Sequence, residues 1–353
     1  DIVLKTGSLF NRPPAPLIGL DVSTSSVKLV ELGQDRSGQL TLERCGIELL
    51  ESGWISDGNI EKFDEVVEAT RRLISRSGTK TKNVAMALPA SVVISKKIIL
   101  PGGLSECEME VQVESEANQY IPFSLDEVAL DFSVVGPSAT SAGDVEVVIA
   151  ASRKEKVEDR QGLAEAAGLV PVVMDVETYA ARLAVSRIIG RLPGGGVDAV
   201  IALFEVGGLT STLQVLRNDD LVYERDQVFG GAQLTQMLVR QYGFTFDEAE
   251  TKKRAGELPD DFGSVVLQPF VESLAQEIER ALKFFFTSTP HHRVDYVLLA
   301  GGTASLPGLT EVVTRLTSFP CQVVNPFDGM DVARTVREKR MQREAPSYLT
   351  ACG

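Results

Sequence analysis

Histidine is nearly absent from this 353-residue chain: two residues, side by side, at His291 and His292. Cysteine is sparse too, and Cys45, Cys107, Cys321 and Cys352 share no short spacing. A structural zinc site and a disulfide framework are both disfavoured, and a reducing compartment is the economical expectation. No apolar run reaches the ~18 residues that a membrane-spanning helix requires. A basic surface is missing as well: 35 Lys and Arg stand against 49 Asp and Glu, for a net charge of −14. With no basic stripe, nucleic acid is a poor candidate partner. The opening "DIVLKTGSLFNRPPAPL" lacks a signal-peptide pattern, since its apolar patch is short and breaks at Arg12-Pro13-Pro14. The expectation is a soluble cytoplasmic protein of two to four subdomains.

What the chain does have is a recurring kind of turn. "LIGLDVSTSSVKLVEL" (17–32) reads as a strand ending in Asp21, a turn through Ser23, Thr24, Ser25 and Ser26, and a second strand carrying Lys28. Laid on "VIALFEVGGLTSTLQVL" at an offset of 184 residues, Asp21 falls on Glu205, Ser23 on Gly207 and Lys28 on Thr212. Both stretches are strand, acid, small-residue turn, strand, the pattern of an internal duplication. A third small-residue turn, Gly301-Gly302-Thr303, follows the apolar strand "VDYVLLA".

Between these turns the periodicity marks helices and strands. "NIEKFDEVVEATRRLISRSG" is an amphipathic helix with Phe63, Val66, Val67, Thr70, Leu73 and Ile74 on one face and Gly78 as its stop. From 92 to 174 the order is strand, helix, strand, strand, helix, strand. Its helices open on expected capping boxes at Ser105–Glu108 and Ser152–Glu155. That is the split βαβ pattern of a small α+β module inserted into a larger fold. "ETYAARLAVSRIIG" and the linker "LPGGG" lead on to the second half. There, Gly230-Gly231 precede one helix, Thr245 and Glu248 cap the next, and a long helix ends in Phe284-Phe285-Phe286, expected to be core. His291-His292 is expected to be a loop, and "DVARTVREKRMQREAP" a charged helix or mobile segment.

Small residues directly after an apolar strand leave backbone N–H groups free to face phosphate oxygens. An acid at the strand end can hold the waters around Mg²⁺, which keeps most of its hydration shell in such sites. Lys28 can reach a phosphate as a point charge. Any one such turn can be an ordinary hairpin. Three of them, spread over two halves, point to a nucleotide in a cleft between lobes.

This arrangement resembles the actin-like ATPase fold over nearly the whole chain. Asp21 to Lys28 resembles its first phosphate loop; Glu205, Gly207 and Gly208 with Thr210 its second; Gly301, Gly302 and Thr303 its adenosine loop. The inserted module, "FGGAQLT" and "AETKKR" are similar to the FtsA branch, which implies that Gly230, Gly231, Glu250 and Lys253 lie near the nucleotide. Within that branch "SSVKLVEL", "YIPF" and "LLAGGTASLPGL" resemble the PilM family, cytoplasmic actin-like proteins of the type IV pilus inner-membrane assembly complex. The resemblance implies an α/β fold of two ribonuclease-H-like lobes with an FtsA-type inserted subdomain. The parts expected are a flexible segment at 1–16, a first-lobe subdomain at 17–91, the insertion at 92–174, a connecting helix and linker at 175–196 and the second lobe at 197–353.

The same resemblance implies bound ATP and Mg²⁺, with Asp21 and Glu205 at the metal and at most a slow ATPase. It matches Glu177, with Asp175 beside it, to the position that orients an attacking water. Both acids also suit a helix N-terminus for its dipole alone. The implied partners are the N-terminal cytoplasmic peptide of PilN and other inner-membrane pilus assembly proteins, so that the chain works at the membrane without spanning it. Two departures stand out: Ser23 where the first loop usually has Gly, and Glu205 where the second usually has Asp. A sugar or acid kinase of the same superfamily and an FtsA-like filament former are the alternatives.

Overall fold

Near-continuous buried runs along Ile18–Ser23 (β1) and Ser26–Gln34 (β2), with strands covered on both faces, set the first hairpin, whose two-residue turn is Thr24-Ser25. The computed structural model describes residues 16–138 and 140–353; all of the expected N-terminal segment except Pro16 lies outside the described residues. Leu40–Leu49 (β3) adds antiparallel to β2, and the short hairpin Ile55–Ser56 (β4) and Asn59–Ile60 (β5) follows. The helix Phe63–Ser77 (α1) buries Val66, Val67, Ala69, Thr70, Leu73 and Ile74 and stops at Gly78, whose φ of 67° is left-handed, as the periodicity predicts. Asn83–Leu88 (β6) then lies parallel to β1.

The insertion begins here. Val93–Pro101 (β7), Glu106–Tyr120 (α2), Val128–Pro137 (β8) and Asp144–Arg153 (β9) build a three-stranded sheet in the order β7-β9-β8. It has its own core of Ile98, Met109, Val113, Val128, Val147 and Ile149. Ser105 caps α2 in the expected box. The next two elements correct the sequence-based boundaries. Lys154–Ala166 (α3) buries Leu163 and Ala164 in the first lobe's core, and Val170–Val176 (β10) pairs parallel with β6. They close the right-handed crossover that two parallel strands need. Chain order alone cannot say which sheet a strand joins, so a split βαβ module and this arrangement read alike. Nor does Ser152 cap α3: the N-cap is Arg153, and the Ser152 hydroxyl donates to Val92 O at 2.8 Å.

Glu177–Ile189 (α4) crosses to the second lobe, where Ile201–Val206 (β11), Ser211–Arg217 (β12) and Asp220–Gln227 (β13) run antiparallel in sequence. Asn218 and Asp219, both at positive φ, turn the β12–β13 hairpin. Gly231–Tyr242 (α5), Phe246–Ala255 (α6) and Gln268–Ser288 (α7) precede Tyr296–Ala300 (β14), Leu309–Thr317 (α8) and Cys321–Val323 (β15). The sheet order β13-β12-β11-β14-β15 repeats the order β3-β2-β1-β6-β10 of the first lobe. The register repeats too: Asp21 faces Lys28 as Glu205 faces Thr212. The duplication suggested by one 16-residue match therefore extends to both whole sheets, and the fold is the actin-like one. Of the phenylalanine run, Phe285 is core, Phe284 is exposed beneath the Arg225 guanidinium, and the His291 ring stacks on Phe285.

The end of the chain returns to the first lobe, which shortens the expected second lobe. Asp331–Val332 (β16) pairs with β3, Glu338–Glu344 (α9) follows, and Leu349–Cys352 (α10) packs beneath β1, β2 and α4. Tyr348 sits fully buried with Val30, Leu42 and Phe327. Contact between α10 and β1 is tight: a Cβ on Gly19 would stand 1.9 Å from Ala351 O. Gly19→Ala must therefore push α10 away. A destabilisation of about 1–3 kcal/mol is expected from such overpacking, read as a lower midpoint in urea unfolding. An unchanged midpoint would show that α10 is not held against β1.

Candidate functional site

The turns that end β1 and β11 meet at the junction of the lobes. A Cβ on Gly208 would lie 3.4 Å from Thr24 Oγ1 and 3.5 Å from Ser25 Oγ, so the two loops face each other across a narrow gap. Gly207 N–H donates to Thr210 O at 3.0 Å, which folds the second loop on itself. Gly207 O in turn accepts from Gly231 N (2.9 Å) and from Thr303 Oγ1 (3.4 Å), and Gly208 O accepts from Ala232 N (2.8 Å). Glycine is required here for close approach. A Cβ on Gly230 would lie 2.6 Å from Gly208 O, and one on Gly301, at φ +89°, 2.3 Å from Val206 O. Gly302 is exposed beside Ser347. The structure thus gathers Ser23–Ser26, Gly207, Gly208, Thr210, Gly230, Gly231 and Gly301–Thr303 around one cleft.

Its floor is acidic. Because Asp21 and Lys28 are cross-strand partners, Lys28 Nζ lies 2.6 Å from Asp21 Oδ2, and it donates to Ser23 Oγ at 3.0 Å. Ser23, the departure from the usual glycine, thereby holds the lysine as well as shaping the turn. Glu205 accepts a hydrogen bond from Thr350 Oγ1 at 3.3 Å, a contact supplied by the returning chain end. Glu177 is the first residue of α4. Desolvation and the Asp21 charge push the Glu205 carboxyl up to about 7; desolvation, Asp21 and Glu205 together push Glu177 up to about 8. Both acids are enclosed by protein yet keep part of their surface open, as groups at the floor of a cleft do.

Three carboxylates therefore face two cations. The second cation, Arg160 on α3, was missed in the sequence. It is only 2% exposed, and its charge acts on Glu177 more than on any other acid. The available signal was its place on the buried α3 face with Leu163 and Ala164, three and four positions on, where an arginine needs a reason. Among the described residues no three His, Cys, Asp or Glu side chains form a metal-holding cluster. An uncompensated acidic floor under glycine loops nevertheless fits a hydrated divalent cation with a polyphosphate. Such an ion would bind through its waters to Asp21 and Glu205.

On the far side, Lys253 Nζ donates to Thr235 Oγ1 at 2.6 Å and to Gly231 O at 3.5 Å, and pairs with Glu250; Thr235 also donates to Glu250. Burial lowers Lys253. It works to raise Glu250, but the Lys253 charge holds that carboxyl below its ordinary value. Asp175 stands apart from the floor, its Oδ1 accepting the amide of Val176 at 2.7 Å.

Residues 19–353 match the family model described as type IV pilus assembly protein PilM. A solved structure of a PilM–PilN type IV pilus biogenesis complex shares 26% identity over 96% of this chain and 97% of that one, with a TM-score of 0.79. The ethanolamine utilization protein EutJ from Carboxydothermus hydrogenoformans shares the fold at a TM-score of 0.58 and 18% identity, over 97% of this chain and 89% of that one.

A native carboxyl that keeps its proton up to about pH 8, when the unfolded chain loses it near 4.5, makes the folded state the stronger proton binder. Stability of the ligand-free protein should then fall as pH rises through that window. Glu177→Gln should flatten the fall. In EDTA at pH 8 its melting temperature should exceed wild type by roughly 1–2 °C for each kcal/mol recovered, with little difference at pH 4.5. A variant less stable than wild type at pH 8 would contradict the crowding of charge at the floor.

Proposed function

The chain belongs to the PilM family of type IV pilus assembly proteins, and from that premise we propose that it is a nucleotide-responsive adaptor. Its cleft binds ATP with Mg²⁺, and its first lobe and insertion together receive the N-terminal cytoplasmic peptide of PilN. The observation that carries the nucleotide half is the cleft floor, where the Ser23–Ser26 loop of the first lobe and the Gly207–Thr210 loop of the second meet above three carboxylates and two cations. Backbone amides of the Ser23–Ser26 and Gly207–Thr210 loops would face the phosphates, and Lys28 would exchange Asp21 for a phosphate oxygen. Asp21 and Glu205 would hold the waters of the Mg²⁺, which supplies charge neutralisation on the phosphates. Glu250 and Lys253 would border the ribose, and Gly301, Gly302 and Thr303 the adenine. Glu177 would orient water for at most slow turnover, with Asp175 fixing the start of α4.

The peptide half is supported by the family and by the PilN partner of the similar solved structure. Among the described residues no helix is long and apolar enough to cross a membrane, so a peptide tether to a membrane protein would supply the attachment at the inner membrane's cytoplasmic face. Other pilus assembly proteins there would join through the same complex. Cleft and insertion are in contact: α4, which begins with Glu177, bonds through the Tyr179 hydroxyl to that of Ser95 on β7. A nucleotide would bias the peptide site as far as it binds two cleft states unequally. The family assignment favours this function over a sugar kinase or an FtsA-like filament former.

Mg-ATP at ~100 times its dissociation constant should add about 2.7 kcal/mol to native stability. That gain should be largely lost in Lys28→Ala, judged from the ligand-induced shift rather than the absolute melting temperature. Fluorescence anisotropy with a labelled PilN N-terminal peptide tests the other half. No thermal shift in wild type removes the nucleotide and leaves the peptide; no anisotropy change removes the peptide and leaves the nucleotide.

A further inference from the structure

The charged segment "DVARTVREKRMQREAP" is pinned to the first lobe by its backbone and by one buried side chain. Ala333 N–H donates to Leu42 O at 3.0 Å and Thr335 Oγ1 to Glu43 O at 2.9 Å, which fixes the turn after β16 on the edge of β3. In α9 only Met341 is buried. Lys339 and Arg343, two residues to either side, stand about 200° around the helix from it, and both are exposed. Arg334 in the turn and Arg337 at the N-cap are exposed as well.

The charge of this strip opposes that of the protein. Residues 334–343 hold five Arg and Lys and one Glu, a net +4 in a chain of net −14, so the remainder carries −18. Arg340 pairs with Glu344 at 2.9 Å; among the described residues Arg334, Arg337, Lys339 and Arg343 make no ion pair. Lys339 and Arg343 are a like-charge i, i+4 pair, which is unfavourable unless an anion lies over it. The strip exposes no aromatic ring, and Val332 is its one exposed large apolar residue. It therefore lacks the anchors that carry protein–protein affinity. A negatively charged membrane needs none, because its surface potential acts on each cation separately. A plane also meets only one side of the protein and leaves most of the acidic remainder beyond the Debye length of about 8 Å.

We propose that this strip is a docking surface for the anionic phospholipid headgroups of a membrane, with Arg334, Arg337, Lys339 and Arg343 as its contacts. From the proposed function it takes only the place of action at the inner membrane; neither nucleotide nor peptide enters the contact. Each cation near such a surface strengthens binding about fivefold. Four of them give a contact that is weak alone and effective beside a peptide tether, which raises the local concentration. The strip begins at β16, the sheet edge opposite β10 and the insertion. Lipid beneath it leaves the insertion open to the peptide.

The whole chain, without nucleotide or peptide, would be sedimented with vesicles of phosphatidylcholine alone and of phosphatidylcholine mixed with phosphatidylglycerol. Wild type should bind the mixed vesicles and not the zwitterionic ones, and should release them in ~1 M salt, where the Debye length is about 3 Å. The combined variant Arg334→Gln, Arg337→Gln, Lys339→Gln and Arg343→Gln should bind at least about a hundredfold more weakly. A control, Lys62→Gln, Lys80→Gln, Lys82→Gln and Arg240→Gln, removes the same charge from exposed sites elsewhere. It should weaken binding by less than about threefold, since screening confines the effect to nearby charges. Should the combined variant not fold, Lys339→Gln with Arg343→Gln should still lose about twenty-fivefold. No binding to the anionic vesicles, equal loss in strip variant and control, or a strip variant that binds like wild type overturns the proposal. Each of these leaves the strip to an acidic protein or to solvent. Because neither ATP nor the PilN peptide is added, no result can be mistaken for failure of their sites.

Discussion

Like charge brought together at the lobe junction is the constraint that organises this molecule. Duplication places an acid near the end of the first strand of each lobe, and the junction of the lobes brings Asp21 and Glu205 within reach of each other's charge and of Glu177 at the start of α4. Three carboxylates in a partly desolvated space cannot all ionise at little cost. Lys28, directly across the hairpin from Asp21, offsets one charge at 2.6 Å, and Arg160 offsets part of another from behind. Glu177 and Glu205 answer the remainder by holding their protons to higher pH. The lobe that lacks an equivalent lysine, with Thr212 in its place, is the one whose acid must take a hydrogen bond from Thr350 instead.

That imbalance gives the cleft a capacity for work. Burial and like charge favour the protonated forms of Glu177 and Glu205. The backbone contributes the complementary half. Gly207, Gly230 and Gly301 pack main chain against main chain at distances no side chain could share, so the loops around the floor are held by their own carbonyls and amides. Rigid loops over an unstable floor are the arrangement that electrostatic preorganisation requires.

The insertion has both of its connections at one edge of the first lobe. It has its own small core, but its two connections converge on Val92 and Ser152, next to the Gly58 turn. The helix α4 reaches the insertion through Tyr179 and Ser95, and α3 reaches the Gly58 turn through Arg160. Membership of the PilM family gives this geometry its context, that of a type IV pilus assembly protein.

Much of this was legible in the chain itself. Strand–acid–small-residue turns at Asp21 and Glu205 identified the duplication, because a short hairpin is a local object whose register follows from its turn. The boundaries of α1, the Ser105 cap and the Thr245 cap were equally local. The tertiary structure alone decided which sheet each strand joins. β10 left the expected module for the first lobe, and β16 and α10 left the second, since strand pairing is set by long-range packing that periodicity does not carry. It alone decided Ser152, whose hydroxyl found a carbonyl 60 residues away instead of a helix end. It decided Arg160 too, because a charge on a helix face becomes a functional group only when the fold buries it beside acids from other elements.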